Sequence, residues 1–425
     1  MRIQWFSPID ERDSEIARYS AQLMPVLEKC ASVVEIDDGS GPVQPSWWSA
    51  SSVIGDNDVG VAPLPIYHIG NNPLHLPIFQ RSLQEPGLVV LHDLSLVDLA
   101  RHLSREMGEA ELWKEMMCLQ YGDELRALVN RSEKSVSDYN KMVTQYPLFQ
   151  PFLQGAMGVV VHSRYALQKV TTKLTDERRI VQLNLPAVAP RMQSPRKRPS
   201  EQLRFIFCGH VGPNRRLLQF MEAWSQISGP ERIRLELYGN VTNDRQLMQH
   251  AQRFGIAKYL TLHGYVGEDQ LEEALQSADF ALNLRYPTMG EASASQLRYW
   301  SAALPTLVSD VGWYNEIPKD TVCPITIDNE IQDLRDLLES ALASPERFEE
   351  SGLRGLAHLK RYHDPNDYAQ GLVALAKQLL QVRLAYRALD TNFVAAIASL
   401  CQREQESELF SNAIETAVDT FTAVE

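Results

Sequence analysis

Short apolar runs recur along the chain, each ending in a polar or glycine-containing turn and most followed by a stretch in which apolar positions return every three or four residues. In the first half the runs are Arg2 to Phe6, Val33 to Ile36, Ile66 to Ile69, Leu88 to Leu91 and Gly158 to Val161. In the second they are Leu203 to Phe207, Ile233 to Leu237, Tyr259 to Leu262, Phe280 to Leu284 and Thr306 to Ser309. Runs of this length between helical patterns predict parallel strands in βαβ units. The helices between them include one capped by Ser14, with Ile16, Tyr19, Leu23, Val26 and Leu27 on one face, and two others at Leu217 to Trp224 and Leu271 to Leu275.

Two stretches break the alternation. From Val97 to about Gln154 the pattern is helical throughout, which predicts a helical insertion after the strand that ends at His92-Asp93. Pro186, Pro190, Pro195 and Pro199 punctuate a basic segment and prevent regular structure there, which marks a linker. The pattern therefore divides the chain into a first α/β domain (1–185, insertion about 97–154), a linker (186–200), a second α/β domain (201–365) and C-terminal helices (366–425). The first of those helices starts at the cap Asn366 and crosses back to the first domain; from Thr391 onward the pattern is further helix with an acidic end.

Composition narrows the class. A chain of 425 residues that is 44% hydrophobic has enough apolar content for two sizeable cores, and a net charge of -13 excludes a general nucleic-acid binder. Five scattered cysteines without CxxC spacing predict neither disulfides nor a zinc site, which makes a reducing cytoplasm the simplest home. The start, MRIQWFSPIDERD, does not read as a signal peptide, and no run is long enough to span a membrane. Peripheral contact with the inner face of the cytoplasmic membrane and self-association both stay open.

Three strand ends carry candidate chemistry. Gly209-His210-Val211-Gly212-Pro213-Asn214-Arg215-Arg216 follows a strand and opens a helix, so glycine backbone, a helix N-terminus and two guanidinium forks converge where an anion would sit. An ordinary βα turn with exposed arginines is an equal reading. Glu291 lies among Gly290, Ala292, Ser293, Ala294 and Ser295, whose small side chains leave room for a ligand; its carboxylate would accept from sugar hydroxyls or face a developing positive charge, or else only favour a helix N-terminus. His92, beside Asp93, offers a group that exchanges protons near neutrality, though such a residue is more often structural. Asp56-Asn57-Asp58 reads as a solvated turn and not a metal site.

These residues resemble a family. The stretches FCGHVGPNRRLLQFMEAW, LTLHGYVGEDQLEEALQSADFALNLR and PTMGEASASQLRYWSAALPTLVSDVGWYNEIP are similar to the donor-side motifs of glycosyltransferase family 4, also known as glycosyl transferases group 1. YHIGNNPLHLPIFQRSLQEPGLVVLHDLSL and GVVVHSRYA resemble its first domain, so the likeness covers most of Met1 to about Leu380. It implies the GT-B fold, two Rossmann-like domains with parallel sheets facing each other across a cleft. The implied activity is retaining, metal-independent transfer of a sugar from a nucleotide diphosphate donor to a glycan, lipid-linked or protein acceptor, with no cofactor beyond the donor itself.

By this resemblance His210 and Arg215 grip the diphosphate with Arg216 beside them, and Tyr265 and Val266 hold the nucleobase. Glu291 with Ala292, Ser293 and Ala294 binds the donor sugar, and His92 faces the reacting sugar. The chain departs from the pattern twice. A second Glu is expected in the helix after the donor loop; counting back from Pro305 its place is taken by Arg298, and strict spacing from Glu291 gives Tyr299. The first loop, Asp10 to Ala17, has four acids where a glycine turn is expected, and acid repels a diphosphate. A non-catalytic nucleotide-sugar-binding partner of a transferase and a sugar-nucleotide epimerase on the same fold are the other readings.

Overall fold

The structure, a computed structural model, describes residues 1–10, 14–41, 63–174, 179–187 and 202–382. The linker from 188, Asp56 to Asp58, Glu11 to Asp13 of the acidic first loop and the tail after 382 lie outside the described residues.

The first half builds a six-stranded, all-parallel sheet in the order β2-β1-β3-β4-β5-β6. Its strands are β1 (Arg2–Phe6), β2 (Ser32–Asp37), β3 (Leu64–Ile69), β4 (Gly87–Leu91), β5 (Ala156–Val161) and β6 (Arg179–Gln182). The central strands β3 and β4 are buried along their whole length, as sheets covered on both faces require, which is why they read as unbroken apolar runs. Helix α1 (Glu15–Leu27) follows β1, and Ser14 Oγ caps it by accepting from Ile16 N at 3.1 Å. α2 (Leu76–Gln84) joins β3 to β4. Between β4 and β5 the chain runs through α3 (Val97–Glu106), α4 (Leu112–Tyr121), α5 (Arg126–Ser132) and α6 (Val136–Gln145). α7 (Arg164–Lys173) then leads to β6.

The second half repeats the plan with the order β12-β11-β10-β7-β8-β9, again all parallel. The strands are β7 (Leu203–Cys208), β8 (Ile233–Tyr238), β9 (Leu260–Gly264), β10 (Phe280–Asn283), β11 (Thr306–Ser309) and β12 (Cys323–Ile325). Its helices are α8 (Leu217–Ser225), α9 (Asp244–Arg253), α10 (Glu268–Ser277), α11 (Ala294–Ser301), α12 (Glu330–Ala343) and α13 (Glu349–Tyr362). Phe205, Phe220, Trp224 and Phe280 fill the core on one face of this sheet. Two parallel α/β sheets of this kind, followed by helices, are the GT-B architecture.

After α13 a helix over 365–382 begins by packing on the first half. The Tyr368 ring lies 5.9 Å from those of Tyr19 and His162, and Gly371 lies so close to Leu183 that an added Cβ would sit 2.7 Å from its Cδ2. No helix among the described residues is long and apolar enough to cross a membrane.

Candidate functional site

The carboxyl ends of the two sheets face a common cavity of about 1840 Å³. On the second-half wall, β7 ends in Cys208, Gly209 and His210. Gly209 has φ +127 and Gly239, after β8, has φ +126; a Cβ on Gly239 would stand 2.2 Å from Gly209 O, so only glycine lets these two turns cross. His210 lines the cavity and its Nε2 meets Thr242 Oγ1 at 3.0 Å. The turn Pro213–Arg215 then brings Arg215 to the cavity wall. Arg216 parts from it: with φ 55 it turns toward α12, where Nε bonds both oxygens of Glu330 at 3.0 and 3.1 Å and a terminal nitrogen pairs with the same carboxylate. Arg216 is thus a strut between the starts of α8 and α12. Tyr265 and Val266 line the cavity beyond β9, close to Tyr238, whose ring stacks on His263 at 4.2 Å.

Glu291 is buried, in a loop set by β10. Its Oε2 accepts from Met289 N at 2.7 Å and Thr288 Oγ1 at 3.2 Å, and its Oε1 pairs with the buried Arg285. Asn283 on β10 donates to Ser293 Oγ at 3.1 Å and Gln296 Oε1 at 3.0 Å, and Ser293 Oγ in turn caps α11 by accepting from Gln296 N. Ala292, Ser293 and Ala294 consequently stand at the cavity surface beside Glu291.

Arg298, one turn into α11, also lines the cavity. It bonds both oxygens of Glu268 at 3.2 Å and lies 3.4 Å from Glu15 Oε2, while Arg18 pairs with the same Glu268. Glu15, an acid of the first loop, reaches the opposite half by pairing with a guanidinium. Tyr299 points into the core, and its hydroxyl accepts from Cys208 N at 2.7 Å.

The first-half wall is different in kind. His92 follows β4, its backbone N–H bonded to Ile69 O at 2.8 Å and its ring Nε2 2.9 Å from His68 Nδ1. Burial, with His162, His68 and His75 close by, holds the His92 ring well below the usual histidine range, so it is neutral. Asp93 is a cavity residue that the sequence does not single out, since there it stands only as a neighbour of His92. It lines the cavity and its Oδ2 accepts from Asn71 N at 2.8 Å. Burial first, then the Glu291 charge, pushes its carboxyl up to about 7 against the pull of Asn71 N–H and Arg285. Its signal is an acid at a strand end; the cause of its raised value is visible only once Glu291 comes across the cavity. Asn71 also caps α3, accepting from Asp98 N at 2.9 Å and Leu99 N at 3.0 Å.

Two seams join the halves, one between backbone groups and one from backbone to a side chain. Leu94 N and Ser95 N both donate to Met289 O, at 2.7 and 2.9 Å, and Gly290 at φ +82 lies where a Cβ would be 2.6 Å from Leu94 Cβ. The Glu316 carboxylate accepts from Arg164 N at 2.8 Å and from Tyr165 N, at the N-terminus of α7.

Residues 202–344 match the family described as Glycosyl transferases group 1. No curated protein sequence matches the chain. Among solved structures, sucrose-phosphate synthase from Thermosynechococcus elongatus superposes with a TM-score of 0.61 at 13% identity, over 90% of this chain and all of that one. Anabaena HepE, in complex with UDP and glucose, gives 0.57 at 12% identity over 89% of this chain and 100% of its own. WaaG, a glycosyltransferase involved in lipopolysaccharide biosynthesis, gives 0.53 at 14% over 87% of this chain and 97% of its own. At such identities the likeness is one of fold. Residues 202–344 carry a glycosyl transferases group 1 domain in a fold shared with GT-B glycosyltransferases, which places the chain among the transferase enzymes.

Proposed function

We propose that the chain is a family 4 glycosyltransferase that moves a sugar from a nucleoside diphosphate to an acceptor hydroxyl presented by the first half, with retention at the anomeric carbon. One observation carries the reading: the Gly209–Arg215 turn and Glu291 stand on one wall of a single cavity, and His92 and Asp93 on the other. The turn offers backbone N–H groups, the start of α8 and the Arg215 fork to a departing diphosphate. Tyr265 and Val266 border the nucleobase. Glu291, locked by Met289 N–H and Arg285, orients the sugar hydroxyls with a carboxylate that has little freedom to move. Asp93, titrating near neutrality, is suited to hold a proton on a hydroxyl of the sugar or acceptor.

The UDP and glucose in the Anabaena structure make UDP-sugars the first donors to test. The reaction is placed in the cytoplasm, with glycan, lipid-linked or protein acceptors, and with the diphosphate charge met by side chains and not by a metal. Incubation with a panel of nucleotide sugars, with and without acceptors and in excess chelator, is expected to release the nucleoside diphosphate. Arg215→Ala and Glu291→Ala should each lower turnover by about 100-fold. If no donor is turned over or hydrolysed, and Glu291→Ala changes nothing, the enzyme reading fails. Arg298, held by Glu15 and Glu268 where an acid is expected, favours as second reading a nucleotide-sugar-binding partner of another transferase. Binding without turnover in the same panel would select it. Transfer and epimerisation are told apart by product mass and NMR.

A further inference from the structure

Three adjacent strands of the first sheet each bring one histidine to the cavity end: His68 on β3, His92 after β4 and His162 after β5. Their rings lie close together, 5.2 Å between His68 and His92 and 5.0 Å between His92 and His162. Trp5, Tyr19 and Tyr368 close the group, with Trp5 4.3 Å from His68. All three histidines are kept below the usual histidine range by burial, so each carries one ring proton and the question is on which nitrogen.

For two neighbours the answer is forced. His162 Nδ1 lies 3.0 Å from Leu183 O and His75 Nδ1 lies 2.8 Å from His68 O; a carbonyl only accepts, so both rings are protonated at Nδ1. His162 Nε2 is then a bare lone pair, and it is buried with no hydrogen-bond partner. His68 shares that environment and that pattern: Nε2 is buried and unpartnered, and Nδ1 meets His92. An orphaned buried N–H is rarer in folded proteins than an orphaned acceptor, so the proton of His68 belongs on Nδ1, where it is used. His92 Nε2 is then the acceptor, and the proton of His92 must lie on Nδ1.

We infer that His68 is a positioning residue: its Nδ1–H bond fixes His92 in the tautomer whose Nδ1–H is left for the cavity, so His92 meets a sugar or acceptor oxygen as a hydrogen-bond donor and not as a base. This rests on reading the cavity as a transferase site. It deepens that reading by dividing the labour on the first-half wall. His92 donates to a hydroxyl oxygen, and the proton-exchanging group there is Asp93. Neither part is visible in the His92-Asp93 dipeptide, because His68 lies a strand away.

The test has one arm that needs no turnover. With ¹⁵N-labelled histidine, the long-range ¹H–¹⁵N spectrum of the resting protein, His92 being assigned from His92→Gln, should show His92 protonated at Nδ1. In His68→Phe, its fold checked by circular dichroism, the His92 tautomer should shift toward Nε2–H. In His68→Asn, whose amide donates from nearly the place of Nδ1, it should stay. In turnover, His68→Phe should lower kcat by about tenfold with donor affinity nearly unchanged, and His68→Asn should recover most of it. A wild-type His92 protonated at Nε2, or a tautomer indifferent to His68→Phe, overturns the inference. A wild type that turns over no donor overturns the transferase reading instead, and the spectrum still decides the tautomer.

Discussion

The two walls of the cavity are built by the same topology and finished in opposite materials. Each sheet has six parallel strands and presents its carboxyl ends to the site. The second-half wall is held by charge: Arg285 with Glu291, Arg216 with Glu330, Arg298 with Glu268. On the first half the packing behind the wall is aromatic and uncharged, with His68, His92 and His162 neutral among Trp5, Tyr19 and Tyr368, while Glu15 and Arg18 at the cavity surface pair with Arg298 and Glu268 of the other half. Fixed opposite charges suit a ligand that arrives with charge of its own, as a nucleotide diphosphate does. The neutral, directed N–H and O–H groups around His92 suit hydroxyls.

The comparison breaks most readily at Arg285. Arg285→Leu leaves Glu291 buried beside Asp93 without its partner, and a loss of about 3–5 kcal/mol in denaturant unfolding is expected, with much of it regained in Arg285→Leu/Glu291→Leu. A loss under about 1 kcal/mol would mean that charge does not hold this wall.

Next in size is the acid response of the neutral histidines. His75 and His162 are lowered to about 4 by burial. A lowered histidine contributes stability that is fully present above the unfolded value near 6.5 and is lost as pH falls through about 4. By pH 5 each ring should cost roughly 2 kcal/mol. Asp93 has the opposite sign, since its raised carboxyl stabilises at low pH and the contribution disappears as pH rises through about 7. Unfolding curves from pH 4 to 8 read both, and His162→Asn, which keeps a donor for Leu183 O, should remove one ring's share.

Tyr299 gives a smaller effect. It is a neutral hydrogen bond inside the charged half, and Tyr299→Phe should cost about 1–2 kcal/mol, because it strips the partner from the buried Cys208 N–H. Smallest is Arg298→Ala. Its partners Glu15 and Glu268 are half exposed, so stability should move by less than about 1 kcal/mol. Nucleotide affinity, measured by calorimetry, should move more than that if Arg298 touches the ligand.

The doubled α/β plan was legible because buried parallel strands such as Leu88 to Leu91 and Phe280 to Leu284 are unbroken apolar runs. The edge strands β6 and β12 were not, since RIVQ is only partly covered and CPI is three residues with a proline. Cavity-lining residues carried by a local motif, such as Glu291 and Arg215, could be picked out from sequence. Arg216 could not be separated from Arg215, because its partner Glu330 is 114 residues away. Arg285 and Asp93 acquire their importance from each other and from Glu291 across the cavity. His68 looked like one more buried strand residue, since the ring it orients sits on the next strand.

The seam at Met289 has a consequence in time as well as in space. Two amides of one half, Leu94 and Ser95, share a single carbonyl of the other. Each widening of the cleft at this point must release both together. Their exchange with deuterated solvent therefore counts openings of the cleft, and a ligand that holds the halves shut should slow both amides by the same factor.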